Sequence, residues 1–408
     1  MANTFFNFPE IFSKFNAFHN GENWFTAHSH HFWPDCTEEA LTDYWMDSAK
    51  LVDEKWNHIF TNKIPKLKKY LAQHLEINSW QNFVFAPNTH ELLFRLLTCQ
   101  EFNRQKKIKV LTTKNEFHSF SRQIKLLEEH HFVEVDALQF SDISNLHDQI
   151  ESKLITNSYD FIFLSHVFFN LGLTISTELL DLIYEKTKQT STKVILDAYH
   201  SFMALPFSMS KYENHFFYLA GSYKYAAAGE GLCFLFIPHK FQLKPFYSGW
   251  FASFSELATE QEKTHYELGA SSMSGSTMDY STLYKLLSVF ELYKELNITQ
   301  HDIHNYVLKL QDKFLAALTN KSLLKKLSSP ENPITESIEN EFYFHCHEGS
   351  LINPPYKTLE QDRAHFLCFR ISDNNTCKEL HEKLKINKIF TDYRGSHLRF
   401  GFGIYQQL

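Results

Sequence analysis

The stretch HFFYLAGSYKYAAAGEGLCFLFIP, residues 215–238, places one lysine between two apolar runs of strand length. Residues 215–224 and 231–238 each predict a β-strand, because both runs are short, apolar and close to glycine. Glycine is scarce in this chain, 12 in 408 residues, and three of the twelve surround the SYKY segment. Lys224 therefore follows a buried strand, where apolar surroundings lower a lysine's pKa and suit it to Schiff-base chemistry.

The same strand pattern extends upstream from this stretch. Further strands are predicted at 82–87, 109–113, 131–138, 160–167 and 193–200. Amphipathic helical patterns such as THELLFRLLTCQ and STELLDLIYEKTK separate these runs. Alternation of this kind predicts an α/β fold with a mostly parallel, seven-stranded sheet covered by helices, and ligands bound beyond the carboxyl ends of the strands.

The length of 408 residues allows two domains. We predict an N-terminal segment, 1–60, that contributes to a small domain, a large domain at 61–295, and the rest of the small domain at 296–408. The last region follows the helical pattern TLYKLLSVFELYKEL and ends in the strand-like runs HFLCFRIS and HLRFGFGIY.

Composition argues against several classes of function. The net charge of -7 comes from 40 basic and 47 acidic residues that are interleaved along the chain, so no basic stripe for nucleic acid is present. The start lacks a secretory signal and no apolar run is long enough to cross a bilayer. Six cysteines without CxxC pairs predict a cytoplasmic protein with no disulfides. Since GxGxxG and GxxxxGK[ST] are absent, a nucleotide cofactor is not expected.

Two more features meet the requirements of pyridoxal 5'-phosphate (PLP) together with Lys224. Asp197 ends the apolar strand KVILD, and a carboxylate is needed at the pyridine nitrogen of PLP. The segment PNTHE, 87–91, begins a helix, and backbone N–H groups at a helix start bind phosphate. The lysine, the carboxylate and the helix start together favour a PLP site.

The chain resembles the class V aminotransferases, a group of fold-type-I PLP-dependent enzymes, and within that group the kynureninases. The motifs that carry the resemblance are SHVFFNLG (165–172), DAYH (197–200), SYKYAAAGEG (222–231), SGW (248–250) and HLRFGFGIY (397–405). The resemblance runs from about residue 25 to the end. It implies PLP as cofactor, a small-molecule amino-acid substrate and a homodimer with shared active sites.

The resemblance implies roles for individual residues at the cofactor. Lys224 would form the internal aldimine, Asp197 would pair with the pyridine nitrogen, and His200 would complete the catalytic set. The remaining cofactor contacts implied by the family are Asn88, Thr89, His90, Phe117, Ser222, Tyr223, Ser276 and Thr277. Ser276 and Thr277 follow Gly275 in a turn like the one with which relatives reach the partner subunit's cofactor phosphate.

The resemblance also implies which residues form the substrate end of the site. Arg399 matches the arginine that grips the substrate α-carboxylate, and a guanidinium fork fits that group well. The segment AHSHHFWP, 27–34, keeps the serine and proline of a family segment that lines the substrate pocket, so His28, Ser29 and His30 would face the substrate, as would Trp250. No metal is expected, although a zinc site at His28–His31 is an alternative reading that lacks an HExxH motif. Arg394 is expected to be structural.

The reaction is left open between several kinds of PLP chemistry. Transamination and kynureninase-type β,γ-cleavage are the first two. Both are kept because SSMSGSTMDY stands where kynureninases carry Asn-Pro-Pro. Other lyase or desulfurase-type chemistry, or a catalytically silent PLP-binding regulatory protein, are the alternatives. Desulfurase chemistry needs a cysteine on a mobile loop, and both FHCHEG and HFLCFRIS predict strands instead.

Overall fold

A seven-stranded, mostly parallel sheet forms the centre of the fold. The computed structural model describes residues 6–140, 142–256, 263–328, 333–353 and 363–407. The strands in these ranges are β1 (Asn23–Trp24), β2 (Phe83–Ala86), β3 (Ile108–Thr113), β4 (Val133–Leu138), β5 (Phe161–Ser165), β6 (Lys193–Asp197), β7 (Phe216–Gly221), β8 (Cys233–Phe236), β9 (Phe366–Arg370), β10 (Ile389–Phe390), β11 (Asp392–Arg394) and β12 (His397–Gly401). The large sheet has the order β2-β8-β7-β6-β5-β3-β4, in which only β8 runs against its neighbours.

Helices cover both faces of this sheet. The α-helices of the described ranges are α1 (Ser13–Phe18), α2 (Cys36–Leu51), α3 (Lys55–His58), α4 (Ile64–His74), α5 (Thr89–Leu97), α6 (His118–Glu129), α7 (Ile143–Thr156), α8 (Thr177–Thr187), α9 (Ser281–Glu295), α10 (Gln300–Thr319), α11 (Leu323–Leu327), α12 (Glu336–His345) and α13 (Asn374–Ile386). A π-helical turn, Ile59–Lys63, joins α3 to α4. Two apolar cores result, one on each face of the sheet. Within the described ranges, none of the helices has both the length and the hydropathy needed to cross a bilayer.

The predicted α/β class and the seven-stranded sheet are confirmed. Strands β5 and β7 are buried along their whole length, as continuous apolar runs in a parallel sheet should be. Because β2, β3, β5, β6 and β7 point the same way, the loops that follow them meet at one edge of the sheet. Asn88, Phe117 and Lys224 follow these strands, and Asp197 is the last residue of β6.

The C-terminal strands form a second, smaller sheet that the N-terminal segment joins. Strand β12 lies between β11 and β9 in an antiparallel sheet, and β1 pairs with β10. Thr26 bridges to Gly401, which brings the segment after β1 against the end of β12. The N-terminal and C-terminal regions are therefore built together, while the boundaries at 60 and 295 stay predictions.

One predicted strand is wrong. The segment FHCHEG contains the end of α12, and the backbone N–H of Cys346 donates to the carbonyl of Phe342 at 2.7 Å. The apolar-polar alternation there spans only four residues, which is too short to outweigh the helical pattern upstream. Cys346 is buried at a helix end.

Candidate active site

A cavity of about 350 Å³ opens at the carboxyl edge of the large sheet and reaches the small sheet. Eleven of the residues predicted to bind cofactor or substrate line it: His28, Ser29, His30, Asn88, Thr89, Phe117, Asp197, His200, Tyr223, Lys224 and Arg399. These residues come from the N-terminal segment, four strand ends and β12, which are far apart in the chain. Tertiary folding thus brings together most of the set that the motifs predicted.

Lys224 lies in the loop after β7, buried among aromatic rings. Its Nζ is 5.3 Å from the ring centre of Phe117 and 5.0 Å from that of Tyr199. Burial lowers the pKa of the Lys224 ammonium below its usual value, and the negative charge of Asp197 opposes that shift. A lysine held in this way has an amine that is readily deprotonated and can act as a nucleophile or base.

The loop that carries Lys224 depends on a glycine. Gly229 has a φ of +75°, and a Cβ at this position would lie 2.5 Å from the ring of Trp33. Trp33 follows the histidines of the N-terminal segment, so this close approach holds that segment against the lysine loop.

Asp197 and His200 flank Lys224 on the sheet side. Burial raises the pKa of the Asp197 carboxyl, while the backbone N–H of Tyr199, which donates to Oδ1 at 3.0 Å, and the positive charge of Lys224 lower it. His200 Nε2 lies 2.6 Å from Lys224 Nζ. Burial and the nearby charge of Lys224 hold the pKa of His200 well below its usual value, so His200 is a neutral hydrogen-bonding partner.

The first turn of α5 forms another wall. Asn88 is the N-cap of this nine-residue helix, and its side chain accepts from the backbone N–H of Glu91 at 2.9 Å. Apart from the N–H of Glu91, the N–H groups of the first turn lack helical partners, and Asn88 and Thr89 at this helix start line the cavity. This wall favours an anionic group.

Arg399 reaches the cavity from β12 with only 2% of its surface exposed. Its Nη1 donates to the carbonyl of Phe169, and its Nη2 donates to Asp392 Oδ2 at 2.5 Å. Asp392 also accepts at Oδ1 from Arg394, at 2.8 Å, and Arg394 lines the cavity. Two guanidinium groups thus share one carboxylate, which leaves net positive charge at this end of the cavity.

His28 is the most deeply buried histidine of the N-terminal segment. Neither ring nitrogen has a hydrogen-bond partner among the described residues, and the ring stacks on Phe366 with centroids 4.8 Å apart. Nε2 lies 3.7 Å from Asp392 Oδ2, and β12 approaches so closely that a Cβ on Gly401 would be 2.2 Å from Nδ1. Burial and the charge of Arg399 hold the pKa of His28 well below its usual value. His28 therefore offers the cavity an unpartnered neutral imidazole.

His30 and Ser29 lie nearer the cavity mouth. His30 is exposed, and its ring meets that of Tyr223 edge to face at 5.6 Å. Ser29 Oγ donates to the carbonyl of Thr26 at 3.2 Å. The described residues contain no group of three or more His, Cys, Asp and Glu that could hold a metal ion.

The remaining predicted residues do not line this cavity. Ser222 donates to the carbonyls of Gly229 and Leu232, at 2.6 and 3.0 Å, so its hydroxyl is committed to the backbone. His90, Ser276 and Thr277 are exposed, and Trp250 is 43% exposed. Their roles stay predictions.

Three residues near the cavity were missed or misjudged from the sequence. Arg394, expected to be structural, lines the cavity, and Asp392 organises both arginines. Glu116 is buried behind the cavity, where it bonds to Ser165. The signal for Glu116 was an acidic residue beside Phe117 at a strand end, and the signal for Asp392 was a carboxylate two residues before an arginine.

The family model for aminotransferase class-V matches residues 32–352. No curated protein sequence matches the chain. Among solved structures, the complex of the cystine C-S lyase C-DES with its product cysteine persulfide has a TM-score of 0.71 at 16% identity, over 96% of this chain and 95% of that one.

Two cysteine desulfurases are also similar in structure to this chain. The enzyme from Thermococcus onnurineus has a TM-score of 0.71 at 16% identity, over 95% of this chain and 92% of that one. CsdA from Escherichia coli has a TM-score of 0.66 at 13% identity, over 98% of this chain and 95% of that one. At these identities the likeness establishes a common fold.

Proposed function

This chain belongs to the class V aminotransferase family, and from that premise we propose that it is a PLP-dependent enzyme acting on an α-amino acid. The observation that carries the proposal is the buried pair of Lys224 and Asp197 in one cavity at the carboxyl edge of the sheet. A lysine amine and a carboxylate are the two groups that the aldehyde and ring nitrogen of PLP require.

The other walls of the cavity fit the same cofactor. The first turn of α5, with Asn88 and Thr89, suits the phosphate, and the Phe117 ring stands beside Lys224 Nζ to cover a planar ring. His200 lies within hydrogen-bond distance of Lys224 Nζ and is placed to hydrogen-bond to the cofactor beside that lysine. The cavity therefore offers a suitable group for the aldehyde, the ring nitrogen and the phosphate of PLP.

The residues of the chain then divide the work of the reaction. Bound PLP supplies an electron sink for the charge left when a bond at the substrate α-carbon breaks. Arg399, with Arg394 behind it, binds the α-carboxylate and orients the substrate. Lys224, whose pKa is lowered by burial, takes the α-proton, and Asp197 holds a proton on the ring nitrogen.

Two outcomes remain open after the proton leaves the α-carbon. For transamination, Lys224 would return the proton; for β,γ-cleavage, His28 or His30 would be the second acid–base group that assists hydration of a γ-carbonyl. A carbon–sulfur lyase is a further candidate, favoured by the similar fold of C-DES, which is a cystine C-S lyase.

The cysteines help to distinguish a carbon–sulfur lyase from a desulfurase, because a desulfurase passes sulfur to a protein thiol. Cys233 lines the cavity, but burial raises the pKa of its thiol to about 12. Cys346, Cys368 and Cys377 are buried as well, and burial raises the pKa of the Cys368 thiol to about 12. These four buried thiols are therefore poorly suited to receive sulfur, which favours a carbon–sulfur lyase that releases its sulfur product directly over a desulfurase.

The loop at Ser276 and Thr277 supports a homodimer proposal. Both residues are exposed and lie outside the cavity of their own chain. Arg95 holds this loop in place, since it donates to the carbonyl of Met273 and packs against Gly275. We propose that the loop completes the phosphate site of a second copy.

The test of the proposed function is spectroscopic. Purified protein incubated with PLP is expected to turn yellow and to change its visible spectrum when an amino acid is added. Kynurenine, glutamate and cystine are the substrates to compare, with product analysis: alanine indicates β,γ-cleavage, pyridoxamine phosphate indicates transamination, and persulfide with pyruvate indicates carbon–sulfur cleavage. A protein that stays colourless with PLP contradicts the proposal, and a yellow protein that responds to no amino acid supports a silent regulatory protein instead.

His28 and His30 are expected to set substrate choice. Their joint replacement by Ala should change the ranking of amino acids by kcat/KM, because the neutral imidazole of His28 is unpartnered in the cavity. The amount of bound PLP should change little, since neither side chain supplies the amine, the carboxylate or the helix start that we propose for PLP. Steady-state kinetics on a panel of amino acids and the visible band measure the two effects.

The control for this experiment is His58→Ala, outside the cavity. Loss of bound PLP in the double variant, with His58→Ala unaffected, would show that the histidines hold the cofactor and not the substrate.

A further inference from the structure

Glu116 is a buried carboxyl that the proposed mechanism does not use. It lies in the turn between β3 and α6 with 3% of its surface exposed. Its Oε1 accepts from Thr113 Oγ1 at 2.7 Å, and its Oε2 accepts from the backbone N–H of Ser165 at 2.9 Å and from Ser165 Oγ at 2.5 Å. All three donors are neutral, so these contacts bring no compensating positive charge to the carboxyl.

Glu116 also lies next to the cavity floor, the part of the cavity that Ser165, Asp197 and Phe117 line. Ser165 ends β5 and is the ladder partner of Asp197 at the end of β6. Ser165, Asp197 and Phe117, the residue after Glu116, all line the cavity. Two carboxyl groups therefore approach one another through Ser165 in a site removed from water.

Two carboxylates in such a place cannot both be ionised at low cost. We propose that Glu116 is a positioning residue that keeps its proton beside Asp197, so that the negative charge of the cavity floor stays on Asp197 opposite Lys224. The hydroxyls of Thr113 and Ser165 can accept this proton as well as donate, because a hydroxyl does both. The role toward the cofactor rests on the proposed function, but the retained proton does not.

The electrostatics agree with this geometry. Burial raises the pKa of Glu116 to about 8, and the negative charge of Asp197 adds to the rise, while hydrogen bonds from Ser165 and Thr113 oppose it. Above that pH a second negative charge enters the floor, where it would stabilise the charged form of Lys224 and reduce its ability to act as a base.

The retained proton has a consequence for stability that can be measured without cofactor. An unfolded glutamate has its usual pKa of 4.5, and burial raises the pKa of folded Glu116 to about 8. Between these values the folded state binds more protons, so the contribution of Glu116 to stability falls as pH rises through this window and is constant above it.

Glu116→Gln removes this contribution while keeping a hydrogen-bonding side chain of the same size. The unfolding midpoint of Glu116→Gln relative to the natural chain is expected to rise as pH increases from about 5 to about 9. Thermal unfolding of both cofactor-free proteins over this range gives the comparison. A difference in midpoint that does not change with pH overturns the proposal, because it means that Glu116 is ionised throughout.

Asp136→Asn is a matched control with the opposite sign. A hydrogen bond from Tyr159 lowers the pKa of Asp136, so its contribution to stability is present at neutral pH and is lost in acid. The midpoint difference for Asp136→Asn should therefore stay constant from about pH 6 to about pH 9.

Infrared spectroscopy gives a second, direct readout. The carbonyl band of a protonated carboxylic acid is expected in the natural chain at neutral pH, and its Glu116 component is expected to be missing from Glu116→Gln. Ser165→Ala should move the loss of this band to higher pH, because Ser165 lowers the pKa of Glu116. Identical band intensity in the natural chain and Glu116→Gln overturns the proposal even if the Gln variant is unstable.

The cofactor experiment separates the two proposals. If the protein does not bind PLP, the proposed function fails, yet the pH-dependent midpoint and the infrared band still decide whether Glu116 holds a proton. If PLP binds, its visible band should change as pH rises past about 8, because Glu116 then ionises beside Asp197, and this change should be smaller in Glu116→Gln.

Discussion

Replacing Lys224 by Ala is expected to lower turnover by about 10²- to 10⁴-fold, the range for removal of a general acid–base group. The same change removes the amine that we propose attaches the cofactor, so borohydride should no longer fix the cofactor to the chain. Both effects follow from the burial of Nζ between Phe117 and Tyr199, where no other lysine lines the cavity of the described residues. Single-turnover kinetics and mass spectrometry of borohydride-reduced protein measure the two losses.

Lys193→Ala is the matched control for this change. Lys193 is also buried, and burial lowers its pKa as well, but it lies at the start of β6, the strand whose other end carries Asp197. Its loss should leave the visible band and the reduced adduct on Lys224 unchanged. An adduct that persists in Lys224→Ala would place the cofactor on another lysine and contradict the assignment.

Arg399 is expected to give the second large effect, on substrate binding. Arg399→Lys keeps the charge but loses the planar fork, and hydrogen bonds to a charged group contribute about 1.5 to 3 kcal/mol, so KM should rise by roughly 10- to 100-fold. Turnover at saturating substrate should change less, because Arg399 holds a group that does not react. Arg370→Lys, on the neighbouring strand β9 with an exposed side chain, is the control and should leave KM unchanged.

Arg399 also bears on stability through Asp392. Arg399→Met leaves the Asp392 carboxylate without one of its two arginines, and removal of one partner of a buried ion pair costs about 3 to 5 kcal/mol of unfolding free energy. Asp392 keeps Arg394, so the loss should lie at the lower end of this range.

Adding Asp392→Asn to Arg399→Met should recover part of that loss, because it removes the unpaired charge. Denaturant unfolding of the two single variants and the double variant gives the coupling energy between the residues. Additive losses would mean that Asp392 does not organise Arg399.

Much of the fold could be predicted because its signals are local. The strands around Asp197 and Lys224 are continuous apolar runs bounded by turn residues, and parallel strands place their following loops at one edge. The set of Lys224, Asp197 and the helix start at Asn88 follows from that rule alone. Cys346 shows where local pattern fails, since a four-residue alternation was outweighed by the helix before it.

The residues that sequence reasoning missed depend on contacts between distant segments. Glu116 and Ser165 are 49 positions apart, and only their strands' adjacency brings them together. His28 in the N-terminal segment comes against Gly401 and Asp392 only because β1 and the Thr26 bridge join the C-terminal strands. Ser222, which was predicted at the cofactor, bonds to backbone carbonyls that its motif does not reveal.

The sequence by itself determined the α/β class, the sheet and the identity of the groups that can serve PLP, because hydrophobic periodicity and strand-end chemistry are written in neighbouring residues. The tertiary structure alone decided how those groups are charged. Burial around Lys224, Asp197, His28 and Glu116 depends on chain segments far away in sequence, and it is the loss of water there that moves each pKa.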